Sequence, residues 1–410
     1  MGLLGESEPE RRFNLLSELQ SIADTQGDRS AQDAVHAEMA ALLERHPDDT
    51  RQARLWYSLG MLADRRHDRA LAERYCLQAC ELAERCGAAE TAALSYGLLV
   101  WLHIARHENE AAHEHVEPAL RCASRIEAES ERAPTEARLL TLSAMVLSRQ
   151  SRYDAARETL LDVLARGEAL GVPRLQLGAL DNLAVLDATL GRWDKVAEWG
   201  ERMLALAQAS GNLPKAVMAQ WRLIRAAHER GDSAAVFRWC ELTLPLARAV
   251  GDRSMEAHTL RELAYWRCKQ GQADVGLPLH QQAQAKFRAL NDPLPAWECA
   301  VRTAQFELEL GRRDAALATV NEVLGALNGE LVKVRAAETI GVRWMCVEVL
   351  EALGDGRTPA VLEQLHVDVQ AEVAQLAEPA ERERQMRDRP GYGGVVAAYR
   401  RICGEPKSMH

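Results

Sequence analysis

Residues 180–191 read LDNLAVLDATLG and residues 192–211 read RWDKVAEWGERMLALAQASG, and the pattern returns as WRLIRAAHERG at 221–231 and DSAAVFRWCELTLPLARAVG at 232–251. Each segment has apolar residues at helical spacing and ends in glycine, which readily adopts the left-handed conformation after a helix. Two series of such turn residues recur at intervals of 40 residues: Gly191, Gly231, Gly271 and Gly311, and Gly171, Gly211, Gly251 and Asn291. The chain is therefore predicted to repeat a unit of helix, tight turn and helix.

The first series extends towards the N-terminus if four extra residues are allowed once. Turns are then predicted near residues 27, 67, 107, 151, 191, 231, 271 and 311. The four extra residues fall in the polar stretch Glu127–Ala137 (EAESERAPTEA), which contains Pro134. A longer loop between units absorbs an insertion at little entropic cost, so we expect a loop there.

This register divides the chain into five segments. Residues 10–329 are predicted to form the repeats, residues 330–377 a divergent last helix pair, and residues 378–404 helices that cap the array. Residues 1–9 and 405–410 are predicted to be flexible ends. A cap is expected because the last repeat of an array must cover its apolar face.

The second unit, RLWYSLGMLADRRHDRALAERYCLQACELAERCG (54–87), resembles the tetratricopeptide repeat (TPR). It has Trp56, Leu59 and Gly60 in the first helix, and small residues at Ala72 and Ala79 in the second, where the helices cross closely. The first small position recurs through the register as Ala72, Ala112, Ala156, Val196, Val236, Gly276 and Ala316. The resemblance implies an all-α fold, a right-handed superhelical α-solenoid of about eight to nine antiparallel helix pairs. The interval of 40 residues exceeds the usual length of about 34, as in long-repeat members of the family.

Two terminal segments resemble the TPR arm of bacterial signalling ATPases and of maltose-regulator-like transcription activators. They are ERRFNLLSELQSIADTQGDRSAQ (10–32) and RERQMRDRPGYGGVVAAYRR (382–401). The chain has no G-x-x-x-x-G-K-[ST] loop, dinucleotide-binding glycine pattern or basic helix-turn-helix. Any ATPase or DNA-binding module is thus expected on another chain, or this chain is a stand-alone or shortened arm.

Composition narrows the function classes. A formal net charge of −10, with Lys and Arg interleaved among acids, disfavours direct contact with nucleic acid. The sequence has no apolar run of about 18 residues and no signal-peptide pattern at its N-terminus, so no membrane contact is expected. Nine cysteines scattered through apolar helical patterns are typical of reduced core residues, which predicts a cytoplasmic protein.

The candidate binding residues come from the resemblance, since first helices line the inner face of a TPR superhelix. In the three central units the relevant positions hold Asp181, Val185 and Ala188; Trp221, Arg225 and His228; and Arg261, Tyr265 and Cys268. We select Asp181, Trp221, Arg225, His228, Arg261 and Tyr265 as the partner-binding set. Arginine suits a carboxylate and aromatic residues supply contact area. The alternative is that these are ordinary solvated residues.

Other clusters are better explained by structure than by chemistry. HENEAAHEH (107–115) lacks the H-E-x-x-H spacing of a zinc site, and Cys76, Cys80 and Cys86 lack C-x-x-C spacing. The carboxylate pair Glu378 and Glu381 lies among arginines, as surface ion pairs do. No catalytic residue, metal or cofactor is therefore predicted.

The leading hypothesis is a non-enzymatic scaffold or regulatory arm of a bacterial signalling or transcription-regulatory system that binds a protein or peptide in its concave groove. The first alternative is an arm that senses a small effector for a signalling ATPase. The second is a metal-dependent hydrolase that uses the cluster around His113. The sequence leaves the partner, the effector and the oligomeric state open.

Overall fold

The structure is a computed structural model that describes residues 8–26, 29–329, 336–374, 379, 382–383, 386 and 391–404. These residues contain nineteen helices of twelve residues or more and no strand, so the all-α prediction is confirmed. The helices are α1 (Pro9–Gln26), α2 (Arg29–Arg45), α3 (Asp49–Arg65), α4 (Arg69–Cys86), α5 (Ala89–Ala105), α6 (Asn109–Ala123), α7 (Glu129–Arg149), α8 (Tyr153–Ala169), α9 (Pro173–Thr189), α10 (Trp193–Ala209), α11 (Leu213–Glu229), α12 (Ser233–Ala249), α13 (Arg253–Lys269), α14 (Ala273–Ala289), α15 (Pro293–Glu309), α16 (Arg313–Asn328), α17 (Ala336–Leu353), α18 (Thr358–Ala374) and α19 (Tyr392–Cys403).

The chain divides into two compact units, residues 1–182 and residues 183–410. Within unit 1, α3 packs on α4, α5 on α6 and α7 on α8, and the first helices α3, α5 and α7 also touch in succession. Unit 2 repeats the arrangement with the pairs α11/α12, α13/α14, α15/α16 and α17/α18, and with contacts along α11, α13, α15 and α17. Each unit is thus a TPR-like array of antiparallel helix pairs.

A short turn in the left-handed conformation follows the first helix of every pair from α3/α4 onwards. At Gly231 φ is 72°, and non-glycine residues hold the same conformation at His67, His107 and Ser151, with φ of 62°, 63° and 62°. After two of these turns an aspartate caps the next helix: Asp68 accepts a hydrogen bond from the Leu71 backbone N–H at 3.1 Å, and Asp232 accepts one from the Ala235 backbone N–H at 3.0 Å. The predicted turn at Gly27 lies outside the described residues.

Small side chains allow the two helices of a pair to approach closely. The predicted small positions Ala72, Ala112, Ala156, Val196, Val236, Gly276 and Ala316 are all buried. The tightest contact is at Gly276 of α14, where a Cβ atom would lie 2.3 Å from the Sγ of Cys268 and 2.8 Å from the carbonyl oxygen of Ala264. Any side chain there would force α13 and α14 apart.

The prediction of a longer loop at Glu127–Ala137 is wrong. From Glu129 onwards this stretch belongs to α7, which has 21 residues where α8 and α10 have 17. The four extra residues amount to about one helical turn, so the side chains that follow remain on the same face of the helix. Pro134 lies inside this helix, and acidic Glu129 and Glu131 occupy its first turn, where they complement the helix dipole.

The C-terminal region ends in α19, which packs on α18. Tyr392 and Val395 of α19 are buried against Leu362 and Val369 of α18. Gly394 lies against Trp344 of α17, since a Cβ atom there would be 2.9 Å from the indole Cζ2. The helix expected at Pro379–Arg387, the start of the last pair at 330–335, the pair Glu378 and Glu381, and the ends 1–7 and 405–410 lie wholly or largely outside the described residues.

Candidate functional site

The structure brings five of the six predicted binding residues together in unit 2. Trp221, Arg225 and His228 lie on α11, and Arg261 and Tyr265 lie on the neighbouring first helix α13. We call these five residues the 221–265 surface. The sixth predicted residue, Asp181, lies on α9 and belongs to unit 1.

A buried carboxylate organises the charged side chains of this surface. Glu262 of α13 has a side chain only 5% exposed, and its oxygens lie 2.7 Å from Nδ1 of His228, 3.5 Å from Arg261 and 3.7 Å from Arg225. Burial by itself raises the pKa of Glu262, but the hydrogen bond from His228 and the charge of Arg261 outweigh it and lower that pKa to about 2. Glu262 is therefore ionised at neutral pH and holds its three partners in place.

The proton of His228 is assigned by the same carboxylate. Nδ1 of His228 is also 3.2 Å from the indole Nε1 of Trp266, a group that only donates. If Nδ1 carried no proton, it would accept a hydrogen bond from Trp266. If it carries the proton, it donates a hydrogen bond to Oε2 of Glu262, which has no other hydrogen-bond partner among the described residues. The shorter contact to an ionised group places the proton on Nδ1.

The two arginines differ in how freely they meet solvent. Arg261 donates to Glu298 of α15 at 2.6 Å, and its side chain is only 14% exposed. Arg225 donates to Glu229 at 2.8 Å and remains 32% exposed. The guanidinium of Arg261 is thus engaged inside the protein, while part of Arg225 faces outwards.

Aromatic rings connect the first helices of unit 2. The ring of Trp221 lies 5.3 Å from that of His258, and the ring of His228 lies 5.2 Å from that of Tyr265. Tyr265 in turn lies 5.9 Å from Phe306 of α15. Contacts of this kind contribute about 0.5–1.5 kcal/mol each beyond burial, so they favour the observed arrangement of the rings.

A cavity of about 300 Å³ opens beside Tyr265, lined by side chains of α13, α15 and α17. Both charge signs are present, because Lys269 and Arg302 face Glu309 and Glu348. The guanidinium of Arg302 lies 5.4 Å from the ring centre of Tyr265, a cation–π contact. Burial raises the pKa of Glu348, against the opposing charge of Arg302. The cavity therefore suits a side chain with an apolar part and a polar end.

Two histidines, the half-buried His258 and the fully buried His280, lie behind this surface. Burial lowers the pKa of His258 to about 4, with the charge of Arg261 adding to the effect. Burial also lowers the pKa of His280 to about 4, and neither ring nitrogen of His280 has a hydrogen-bond partner within the described part of the chain. Both histidines are therefore neutral at physiological pH.

Some residues of the site escaped the sequence prediction. Adding one repeat of 40 residues to Tyr265 and Cys268 gives Gln305 and Leu308, which line the cavity, so the same register could have found them. Glu262 carries no such signal, because it is not at one of the positions that the register selects for the inner face. Its role depends on a histidine and an arginine of the preceding first helix.

The described residues contain no group of three or more His, Cys, Asp or Glu side chains that could hold a metal ion. In the cluster at 107–115, His107 is a turn residue, and His103 Nδ1 contacts a carboxylate oxygen of Glu108 at 2.7 Å. All nine cysteines are free, and seven are buried. Over the same part of the chain, none of the helices is long and apolar enough to cross a membrane.

Comparison with known proteins shows the fold alone. No protein-family profile and no curated protein matches the sequence. Among solved structures, the apo form of RapI has a TM-score of 0.53 at 13% identity over 67% of this chain and 97% of that chain. Aspartyl phosphate phosphatase F from Bacillus subtilis has 0.55 at 13%, over 79% and 85%. A Rap protein complexed with competence and sporulation factor has 0.54 at 13%, over 97% and 98%. This chain shares the TPR-type helical repeat of these proteins.

Proposed function

We propose that this chain is a non-enzymatic regulatory protein that binds a peptide, or a segment of a partner protein, on the 221–265 surface. The observation that carries the proposal is the buried Glu262, which fixes His228, Arg225 and Arg261 before any partner is present. Prearranged side chains lower the entropic cost of binding. Tryptophan, tyrosine and arginine are also the residue types that contribute most to interfaces.

The residues of the surface have different roles in this proposal. Trp221 and Tyr265 contact the partner, and the partly exposed Arg225 supplies a cation. Arg261 acts as a positioning residue, because Glu262 and Glu298 already engage it. The adjoining cavity of about 300 Å³ takes one side chain of the partner.

Support from a protein of the same fold comes from the Rap protein complexed with competence and sporulation factor. We extend the proposal to a role in a bacterial signalling or transcription-regulatory system in the cytoplasm, without direct contact to nucleic acid. It covers both arrangements expected from the sequence, a stand-alone chain and an arm that serves an ATPase encoded elsewhere.

The test is selection of a phage-displayed library of random twelve-residue peptides on the purified full chain. The affinity of the most enriched peptide, made synthetically, is then measured by isothermal titration calorimetry for the parent protein and for variants. We expect Tyr265→Ala and Trp221→Ala each to weaken binding at least about tenfold, since truncating an interface anchor costs about 2 kcal/mol or more.

The matched control is Trp239→Ala, which removes a partly buried tryptophan from the second helix α12. It is expected to keep full peptide affinity at a temperature where all variants retain parental helicity. The proposal is wrong if no peptide is enriched, or if the double variant of Trp221 and Tyr265 binds the selected peptide as tightly as the parent does.

A further inference from the structure

Unit 1 contains a larger cavity, of about 630 Å³, formed by α3, α5, α7 and the start of α9. Most of its wall is apolar. The principal apolar lining residues are Met61, Leu94, Leu98, Trp101, Leu139 and Leu142. The side chain of Trp101 is large and apolar, yet the residue is 41% exposed. An exposed tryptophan at a cavity of this size is typical of a ligand site rather than of a packed core.

The repeat itself builds this cavity. Tyr57, Gly97 and Thr141 each lie ten residues before the turn of their helix pair, and Met61 and Trp101 each lie six residues before it. The same two positions carry the tryptophan, tyrosine and arginines of the 221–265 surface in unit 2. The two units thus present equivalent positions of their first helices, but these positions carry two arginines in unit 2, whereas those that line the cavity in unit 1 carry no charged residue.

Two glycines shape the cavity in different ways. Gly97 brings α5 against α7, since a Cβ atom there would lie 2.7 Å from Cδ2 of Leu139. Gly178 of α9 lines the cavity, and a Cβ atom at this position would have no heavy atom within 4 Å. The space in front of Gly178 is therefore open and accessible to a ligand.

The charges at the cavity favour an anion. Two arginines, Arg138 and Arg174, line it against a single acidic residue, Asp64. Neither guanidinium forms an ion pair within the described residues, although Arg138 donates a hydrogen bond to the hydroxyl of Tyr57. A largely buried arginine such as Arg261, by contrast, is held by a carboxylate, that of Glu298. Two unpaired guanidiniums beside an apolar wall match a ligand that combines an apolar body with a carboxylate.

We propose that this cavity is a binding site for a small amphipathic carboxylate. The apolar chain or ring of the ligand packs against Trp101 and the neighbouring leucines, and its carboxylate pairs with Arg138 and Arg174. A cationic ligand of the same shape would be repelled by two arginines and attracted by only one aspartate. The site lies in unit 1, so this inference stands independently of peptide binding by the 221–265 surface.

The test is a titration of the purified full chain with sodium decanoate, decylamine and decan-1-ol, each kept below its aggregation concentration. Isothermal titration calorimetry gives the affinity, and tryptophan fluorescence reports on Trp101. We expect saturable binding of decanoate, at least about tenfold tighter than binding of decanol or decylamine, because a charge-assisted hydrogen bond contributes about that much. The fluorescence change is expected to disappear in Trp101→Phe.

Two pairs of variants locate the site. Gly178→Leu fills the cavity and is expected to abolish decanoate binding, whereas Gly325→Leu, at a helical glycine of α16 that is equally open, is expected to leave it unchanged. The double variant Arg138→Gln and Arg174→Gln should weaken decanoate at least about tenfold and leave decanol unchanged. An equal melting temperature for the two leucine variants shows that both are folded.

The proposal is overturned if decanoate does not bind saturably, if Gly178→Leu binds it as tightly as the parent does, or if decylamine binds as tightly as decanoate. The first two outcomes would show that the cavity is not a binding site for this ligand, and the third would show that the carboxylate is not recognised. Peptide selection on the 221–265 surface is a separate measurement, so failure of one proposal is distinguishable from failure of the other.

Discussion

Replacing the buried His280 by methionine should remove much of the acid sensitivity of unit 2. His280 is fully buried on α14, its ring lies 6.0 Å from that of Phe306, and neither nitrogen has a hydrogen-bond partner in the described structure. Burial lowers its pKa to about 4, and the charges of Arg261 and Arg302 add to this effect while that of Glu262 opposes it. Protonation of His280 is therefore possible only at a large cost in folded-state free energy.

The direction of this pH dependence follows from the number of protons that the folded and unfolded chains bind. Between about pH 6.5 and pH 4 the unfolded chain has a protonated histidine and the folded chain a neutral one, so stability is lost as the pH falls through this range. The difference between an ordinary pKa near 6.5 and one of about 4 corresponds to about 3 kcal/mol. The His280→Met variant has no such proton to bind and keeps this free energy.

The assay is urea unfolding followed by tryptophan fluorescence at several pH values from about 7.5 to about 4.5. We expect the parent and His280→Met to be similar in stability at the upper end, and the variant to be more stable by about 2–3 kcal/mol at the lower end. His113→Met, at an exposed histidine, is the control and should follow the parent throughout. Parallel pH profiles for the parent and His280→Met would refute the reasoning.

Three further substitutions test the packing and the charges of unit 2. Gly276→Ala should destabilise the folded protein by about 1–3 kcal/mol, because its Cβ would meet Cys268 and Ala264, even though alanine normally stabilises a helix. Faster hydrogen exchange in α13 and α14 would show this, and unchanged exchange would contradict it. Gly231→Ala should lower the free energy of unfolding by about 1 kcal/mol. The cause is backbone strain alone, since φ is 72° and the space around residue 231 is open. A stability equal to that of the parent in urea unfolding would count against this. Glu262→Gln should lower the free energy of unfolding by about 3 kcal/mol at neutral pH. The parent protein loses this contribution only as the pH falls from about 4.5 towards about 2. A decrease below about 1 kcal/mol at neutral pH would disprove the buried network.

Part of the candidate site could be predicted from the sequence. The 40-residue register placed Trp221, Arg225 and His228 on one first helix and Arg261 and Tyr265 on the next, and the structure brings all five together. Their contribution to binding remains a proposal. A register assigns a residue to a face of a helix, but it does not show which charges on that face already neutralise each other.

The inserted stretch in α7 shows the same distinction on the scale of a helix. Its polar residues and Pro134 favour a loop when they are considered locally, yet they form the start of a helix of 21 residues. Four residues are close to one helical turn, so a longer helix keeps the apolar side chains of α7 on the face that packs against α5 and α8. Packing with neighbours outweighs the local preference.

The sequence by itself determined the helical units, their interval and their turns, because helical spacing and left-handed turn residues are local properties that recur along the chain. Tertiary structure alone decided that Glu262 is buried beneath His228, that Glu298 engages Arg261, and that apolar positions in unit 1 enclose a cavity. Burial and pairing depend on side chains about one repeat of 40 residues apart, which meet only when successive helix pairs pack together.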